Sequence, residues 1–123
     1  MTKTIILITS VLAIIYASYK TYQIMSLDKG LDKMIIEGAV ILDVRTETEY
    51  KMGHIEGAVN IPLSKLHADN IPLDKSKVII TCCSHGLRSV KAVSLLKANG
   101  FTQVYNGGAW TDLQKCISTQ TPD

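Results

Sequence analysis

A chain of 123 residues is long enough to bury one core and too short for two. Its 13 Lys and Arg stand against 11 Asp and Glu, and the resulting +2 is spread along the sequence, which excludes the concentrated basic footprint of a nucleic-acid binder. The three cysteines, Cys82, Cys83 and Cys116, are odd in number and lack the spacing of a disulfide framework or a zinc site, so a working thiol fits them better.

The first element is the uncharged run TIILITSVLAIIYASY, Thr4 to Tyr19, flanked by Lys3 and Lys20. At about 1.5 Å per residue it makes roughly 24 Å of helix, short of the roughly 30 Å hydrocarbon layer, but Lys20 can snorkel and Tyr22 and Ile24 extend the span. Residues 1–23 are therefore expected to form a single-pass membrane anchor. The competing reading is a cleaved signal peptide, which needs small residues one and three places before the cut. Ala17 is paired with Ile15 and Ser18 with Tyr16, so neither pair qualifies. Lys20, Lys29 and Lys33 outnumber Lys3, which by the positive-inside rule turns the body of the chain toward the cytoplasm, and a reduced thiol agrees with that side.

Residues 24–118 then read as the folded domain and 119–123 as a tail. Leu27, Leu31, Met34 and Ile35 recur at helical spacing, with Gly38 as the stop. AVILDV (39–44) is an apolar run of strand length, best read as a buried parallel strand, and Thr46 caps a helix beginning in TETEY. GHIEGAVNIP is loop chemistry around a short strand, and KVIITC (77–82) is a second buried strand. RSVKAVSLLKANG sets Val90, Val93, Leu95 and Leu96 on one side of a helix that ends at Asn99 and Gly100. FTQVYNGG is a third strand running into a glycine turn, and AWTDLQKCI a closing helix. Strands alternating with helices indicate an α/β fold.

In such a sheet, ligands bind where strands hand over to helices, and TCCSHGLRS occupies a handover. With Gly86 free to take a positive φ, a tight turn there aims several backbone N–H groups inward, and the following helix adds its positive end. The result is an anion cradle. A cysteine at its lip is held as a thiolate by those dipoles and by Arg88, while Ser89 can hydrogen-bond the sulfur or cap the helix. Two cysteines on a strand can also be plain core residues, but a buried strand followed by a helix-starting arginine calls for an anionic partner. These residues leave open which cysteine reacts.

At this point three motifs resemble a known family, the rhodanese homology domain in its single-domain form, across residues 26–115. ILDVRTETEYKMGHIEGAVNIP resembles the family's first signature. CSHGLRS resembles its active-site loop of cysteine, two residues, glycine, one residue, arginine, then serine or threonine. GFTQVYNGGAW resembles its closing strand and glycine turn. The resemblance implies an open parallel sheet flanked by helices, here preceded by the hydrophobic helix. It implies a sulfurtransferase that takes sulfane sulfur from thiosulfate or a related donor, holds it as a cysteine persulfide, and yields it to a thiol, a protein acceptor or cyanide, with no cofactor and no metal.

The same resemblance selects Cys83 as nucleophile and makes Cys82 the last, structural, residue of its strand. Ser84, His85, Gly86, Leu87, Arg88 and Ser89 become the persulfide- and substrate-binding loop, with the N–H groups of Ser84 to Arg88 turned on the sulfur. Asp43 and Arg45 become supporting ion-pair architecture with Glu49 or Arg88. His54 is expected to be a structural hydrogen bonder, His85 to tune access or charge, and Trp110 and Cys116 to pack. Partners are then the donor, the acceptor and the membrane, with no nucleic acid.

Two alternatives stand beside this reading. Cys82 lies six places before Arg88, so CCSHGLRS also fits the loop of cysteine phosphatases and arsenate reductases. A six-residue ring suits a persulfide sulfur, whereas tetrahedral phosphate needs the extra residue. Thr81 also stands where phosphatases carry histidine, and no general acid is evident nearby. The other alternative is a non-catalytic recruitment module at the membrane, which has no need of the retained cysteine and arginine.

Overall fold

The computed structural model describes residues 1–26, 30–68 and 70–120. Four strands, β1 (Val40–Asp43), β2 (Val59–Asn60), β3 (Ile79–Cys83) and β4 (Val104–Ala109), form one sheet in the order β2-β1-β3-β4, parallel throughout. Around it lie α2 (Leu31–Ile36), α3 (Glu47–Met52), α4 (Leu87–Ala98) and α5 (Trp110–Gln120), with a short 3-10 turn at Leu63–His67. β3 is buried at all five positions, as a central parallel strand covered on both faces should be.

Successive β3 side chains alternate between two apolar layers. Ile79 and Cys83 join Leu42, Leu66, Leu96 and Phe101 on one face, while Ile80 and Cys82 join Ile55, Ala58 and Leu113 on the other. The second layer also takes in the half-buried Tyr50 and Trp110.

Helix ends follow local chemistry. Thr46 caps the start of α3 as the sequence leads one to expect, and Glu49 completes a reciprocal capping box with it. α2 ends with Gly38 N–H on Ile35 O and Ala39 N–H on Met34 O, a Schellman closure with Gly38 at φ 96°. It begins after Gly30, later than expected, and Leu27 lies outside the described residues.

Three other details differ from the sequence reading. α4 buries Ser89, Ala92 and Leu96, while Val90, Val93 and Leu95 are only half-buried. Small residues on that line let the helix axis sit close to the sheet, an advantage that hydrophobicity alone does not reveal. β3 runs one residue further than expected, so Cys83 ends it. α5 begins at Trp110 and continues to Gln120, while residues 121–123 lie outside the description.

β4 carries a bulge opposite β3: Asn106 pairs with Thr81 and Ala109 with Cys83, so β4 fits one residue more than its partner. Gly107 lies so close to β3 that a Cβ would come 2.7 Å from Thr81 O, and Gly108 takes φ 71°.

The N-terminal apolar helix is present as α1 (Thr2–Ser26). Its stretch Thr2–Tyr22 is 21 residues of mean hydropathy 1.5, and none of it is buried against the rest of the chain. At 1.5 Å per residue that is about 32 Å, so the helical residues on both sides of the uncharged run bring its length up to that of the hydrocarbon layer.

Candidate active site

The loop between β3 and α4 sits at the carboxyl end of a central strand, where the dipoles of the strand-to-helix turn converge. Gly86 takes φ 92° as the N-cap of α4, a conformation that costs a side-chain-bearing residue about 1–2 kcal/mol. That turn directs Gly86 N–H at Cys83 Sγ over 3.0 Å, and Ser89 N–H follows at 3.4 Å. Two main-chain donors thus meet at one sulfur. Sequence reasoning looks for donors from Ser84 to Arg88; the Ser89 amide lies just beyond that stretch. Cys83 itself is 1% exposed, so the sulfur lies at the base of the loop.

Cys82 points to the opposite layer, fully buried. Burial, aided by the nearby Asp43 carboxylate, pushes its thiol far above the ordinary range, which keeps it protonated and unreactive.

Ser89 is fully buried, and its hydroxyl lies between Gly86 O at 2.8 Å and Asn106 Oδ1 at 2.7 Å, which share its single proton. The contact to sulfur expected of its side chain is made instead by its backbone. Asn106 Oδ1 also accepts Gly108 N–H at 3.0 Å, and Thr81 Oγ1 donates to Ser89 O at 2.9 Å. The bulge in β4 and the first turn of α4 are thereby joined under the loop. Asn106 was not singled out from the sequence; the asparagine before paired glycines marks a turn but does not reveal what it will hold.

Two ion pairs flank the cradle. Arg45 Nε lies 2.9 and 3.0 Å from the two Asp43 carboxylate oxygens and Nη2 lies 2.7 Å from Oδ2, with the pair almost wholly buried. Arg45 also donates to Gly53 O at 2.7 Å, and its guanidinium lies 4.7 Å from the Trp110 ring centre. Asn60 Nδ2 spans Asp43 O and Arg45 O. The expectation that Asp43 and Arg45 pair with Glu49 or Arg88 is corrected: Asp43 and Arg45 take each other.

The second pair is Arg88 and Glu49. Arg88 Nη1 and Nη2 reach the two Glu49 oxygens at 2.7 and 2.9 Å, and Ser84 Oγ donates to Glu49 Oε2 at 3.0 Å while accepting from Arg88 at 3.1 Å. The Arg88 guanidinium foremost holds the Glu49 carboxyl far below the usual carboxylate range, and Glu49 in turn raises Arg88.

Of the remaining residues singled out from the sequence, His85 and Leu87 are exposed on the loop. His54 is stacked on Tyr50 with ring centres 3.7 Å apart, and its Nδ1 lies 2.8 Å from Tyr50 O, outside the loop's hydrogen bonds. Cys116 is half-buried on α5. Among the described residues no group of three or more His, Cys, Asp and Glu side chains is gathered to hold a metal ion.

The family described as Rhodanese-like domain matches residues 27–112. The uncharacterized protein YqhL of Bacillus subtilis (strain 168) is 40% identical over 68 residues, which cover 55% of this chain and 54% of YqhL, so the chain spans about half of that relative's length. Thiosulfate sulfurtransferase PspE of Escherichia coli (strain K12) is 35% identical over 75 residues, 58% of this chain and 71% of PspE. Among solved structures, the Rhodanese_3 like domain of the Alr3790 protein from Anabaena sp. superposes with a TM-score of 0.58 at 32% identity, over 65% of this chain and 93% of that one.

Proposed function

The chain belongs to the rhodanese-like domain family, and from that premise we propose that it transfers sulfane sulfur through a persulfide on Cys83. The observation that carries this reading is the convergence of the Gly86 and Ser89 amides on Cys83 Sγ. Donors so placed strengthen as negative charge gathers on sulfur, an electrostatic stabilisation of a few kcal/mol per well-aimed group.

In the first half-reaction the Cys83 thiolate attacks the outer sulfur of thiosulfate or a related donor. A new S–S bond forms at Cys83, the donor's S–S bond breaks, and sulfite or another leaving group departs with the electron pair. In the second, an acceptor thiolate or cyanide attacks the outer sulfur and the Cys83 thiolate leaves. Ser84, His85, Gly86, Leu87, Arg88 and Ser89 form the ring around the outer sulfur, and Asp43 with Arg45 braces the strand end beneath it. Neither half needs a metal or an organic cofactor. Cys82 in the opposite layer speaks against the longer phosphatase register, because its sulfur lies away from the ring.

We further propose that α1 is an uncleaved single-pass anchor for residues 24–118, with the domain on the cytoplasmic side, where Lys20, Lys29 and Lys33 would stay. The deciding assay incubates the protein with thiosulfate and cyanide and follows thiocyanate, alongside mass spectrometry of Cys83 for a gain of one sulfur. Failure of both readouts with thiosulfate and with a related sulfane-sulfur donor alike overturns sulfur transfer, and phosphate release from an aryl phosphate would replace it with phosphatase chemistry.

A further inference from the structure

Ser89 is held at three points. Its carbonyl accepts the Thr81 hydroxyl of β3 at 2.9 Å, its own hydroxyl lies 2.7 Å from Asn106 Oδ1 of β4, and its N–H reaches Cys83 Sγ at 3.4 Å. A residue anchored by its carbonyl to one strand and by its side chain to the next has little freedom left in the direction of its amide. As the third residue of α4, Ser89 has no carbonyl partner for that N–H within the helix, so the amide is available to the sulfur. The same hydroxyl lies 2.8 Å from the carbonyl of Gly86, whose N–H is the other sulfur donor. One buried hydroxyl thus touches both residues whose amides meet at Cys83.

The anchor beyond that hydroxyl is firm. Asn106 is buried and pairs in register with Thr81. Gly108 N–H donates to the same Oδ1 at 3.0 Å, which turns the oxygen end of the amide, and not its NH2, toward Ser89. Gly107, between the two, lies against β3 with no room for a side chain, so the bulge cannot slide. The bond from Ser89 to Gly86 O stays within the first turn of α4 and cannot locate that turn against the sheet. The bond to Asn106 can. A donor swung off line or beyond hydrogen-bond distance loses most of its effect on a charged sulfur, so this placement bears on the reaction.

We infer that Asn106 is a positioning residue for sulfur transfer: its Oδ1 holds the Ser89 hydroxyl to the β4 bulge and thereby aims the Ser89 amide at Cys83 Sγ. The inference rests on the sulfur-transfer reading above. Asn106 touches neither the donor nor the reacting sulfur in this role; it acts through Ser89.

The test compares the full chain in detergent with its Asn106→Ala, Ser89→Ala and doubly substituted variants. Two quantities are read by mass spectrometry: the rate of sulfur loading on Cys83 from thiosulfate at neutral pH, and the pH midpoint of Cys83 alkylation by iodoacetamide. Asn106→Ala is expected to slow loading about tenfold and to move the midpoint up by about one unit, because a misaimed donor favours the thiolate less. Ser89→Ala cuts the same tether from its other end and is expected to do the same. The double variant should go little further than either single one, as two cuts in one tether do. Asp43, Arg45, Glu49, His85 and Arg88, the charged and titratable side chains of the loop and of the elements beside it, are unchanged in all four proteins, so a moved midpoint reports the donors. Cys82, sealed in the other layer, gauges any unfolded fraction in the same samples. If Asn106→Ala exposes Cys82 to label, Ser89→Ala decides alone. A midpoint that stays at the wild-type value in a variant with Cys82 protected, or a double variant that shifts by the sum of the single shifts, overturns the inference and leaves sulfur transfer intact. A wild-type chain that loads sulfur neither from thiosulfate nor from a related sulfane-sulfur donor overturns sulfur transfer itself and this role of Asn106 with it.

Discussion

Cys82 and Cys83 leave one strand in opposite directions: Cys83 Sγ accepts two main-chain N–H groups of the loop, and Cys82 is sealed in the other apolar layer. Neighbours in sequence are thus remote in chemistry. Cys83→Ser is expected to lower sulfur transfer by at least ~10³-fold, as loss of a nucleophile does, whereas Cys82→Ala keeps most of it. Iodoacetamide labelling of the native protein checks the same contrast, since Cys82 should react only after unfolding.

The buried pair of Asp43 and Arg45 should be costly to break. Asp43→Ala strands a guanidinium whose side chain is 5% exposed, and removal of one partner from such a pair costs about 3–5 kcal/mol. Urea unfolding of the variant measures this. A loss below about 1 kcal/mol would mean that Gly53 O and Trp110 hold Arg45 without its carboxylate.

Two glycines of the site should fail in different ways. Gly107→Ala pushes a methyl against Thr81 O at 2.7 Å and Ile80 Cγ2 at 2.8 Å, within the sheet, so a loss of roughly 1–3 kcal/mol in stability is expected. Gly86→Ala has room, with Gly108 Cα at 3.8 Å, but must keep φ 92°. It should cost only about 1–2 kcal/mol while slowing sulfur loading more than Gly107→Ala does, because the loop gives way before the core. Thermal unfolding and loading rates on the same two variants check the order.

The Glu49 carboxyl, held low by Arg88, ties stability to acid in one direction. A carboxyl depressed on folding stabilises fully above its unfolded value of about 4.3, and that contribution is lost as pH falls through the lower, folded value. The unfolding midpoint should therefore drop as pH is taken below about 4, and Glu49→Gln should make the drop shallower. Parallel curves for the two proteins would show that Arg88 does not hold Glu49.

Local features of this fold were legible where a cause lies within a few residues. The cap at Thr46, the stops at Gly38 and Gly100, and the apolar strands around Leu42 and Ile80 all follow from spacing and residue type. The pairing of charges was not legible. Arg88 and Glu49 are 39 positions apart, while Asp43 pairs with Arg45 two places away, so only the packed chain decides which carboxylate takes which arginine. Asn106 escaped for the same reason, because its task is to hold a serine 17 residues away. The loop's residue types identified a cradle, but the direction of each strand side chain decided which sulfur lies in it.

Glu49 belongs to two structures at once, the first turn of α3 and the collar of the sulfur loop. A helix of six residues cannot persist on its own, so α3 exists largely through what its ends grip. Fraying of that turn would slacken the loop through a shared carboxylate, and tightening the loop would wind the turn. Amide protons of α3 and of the β3-to-α4 connection should therefore exchange with solvent in step, as one cooperative unit formed from segments far apart along the chain.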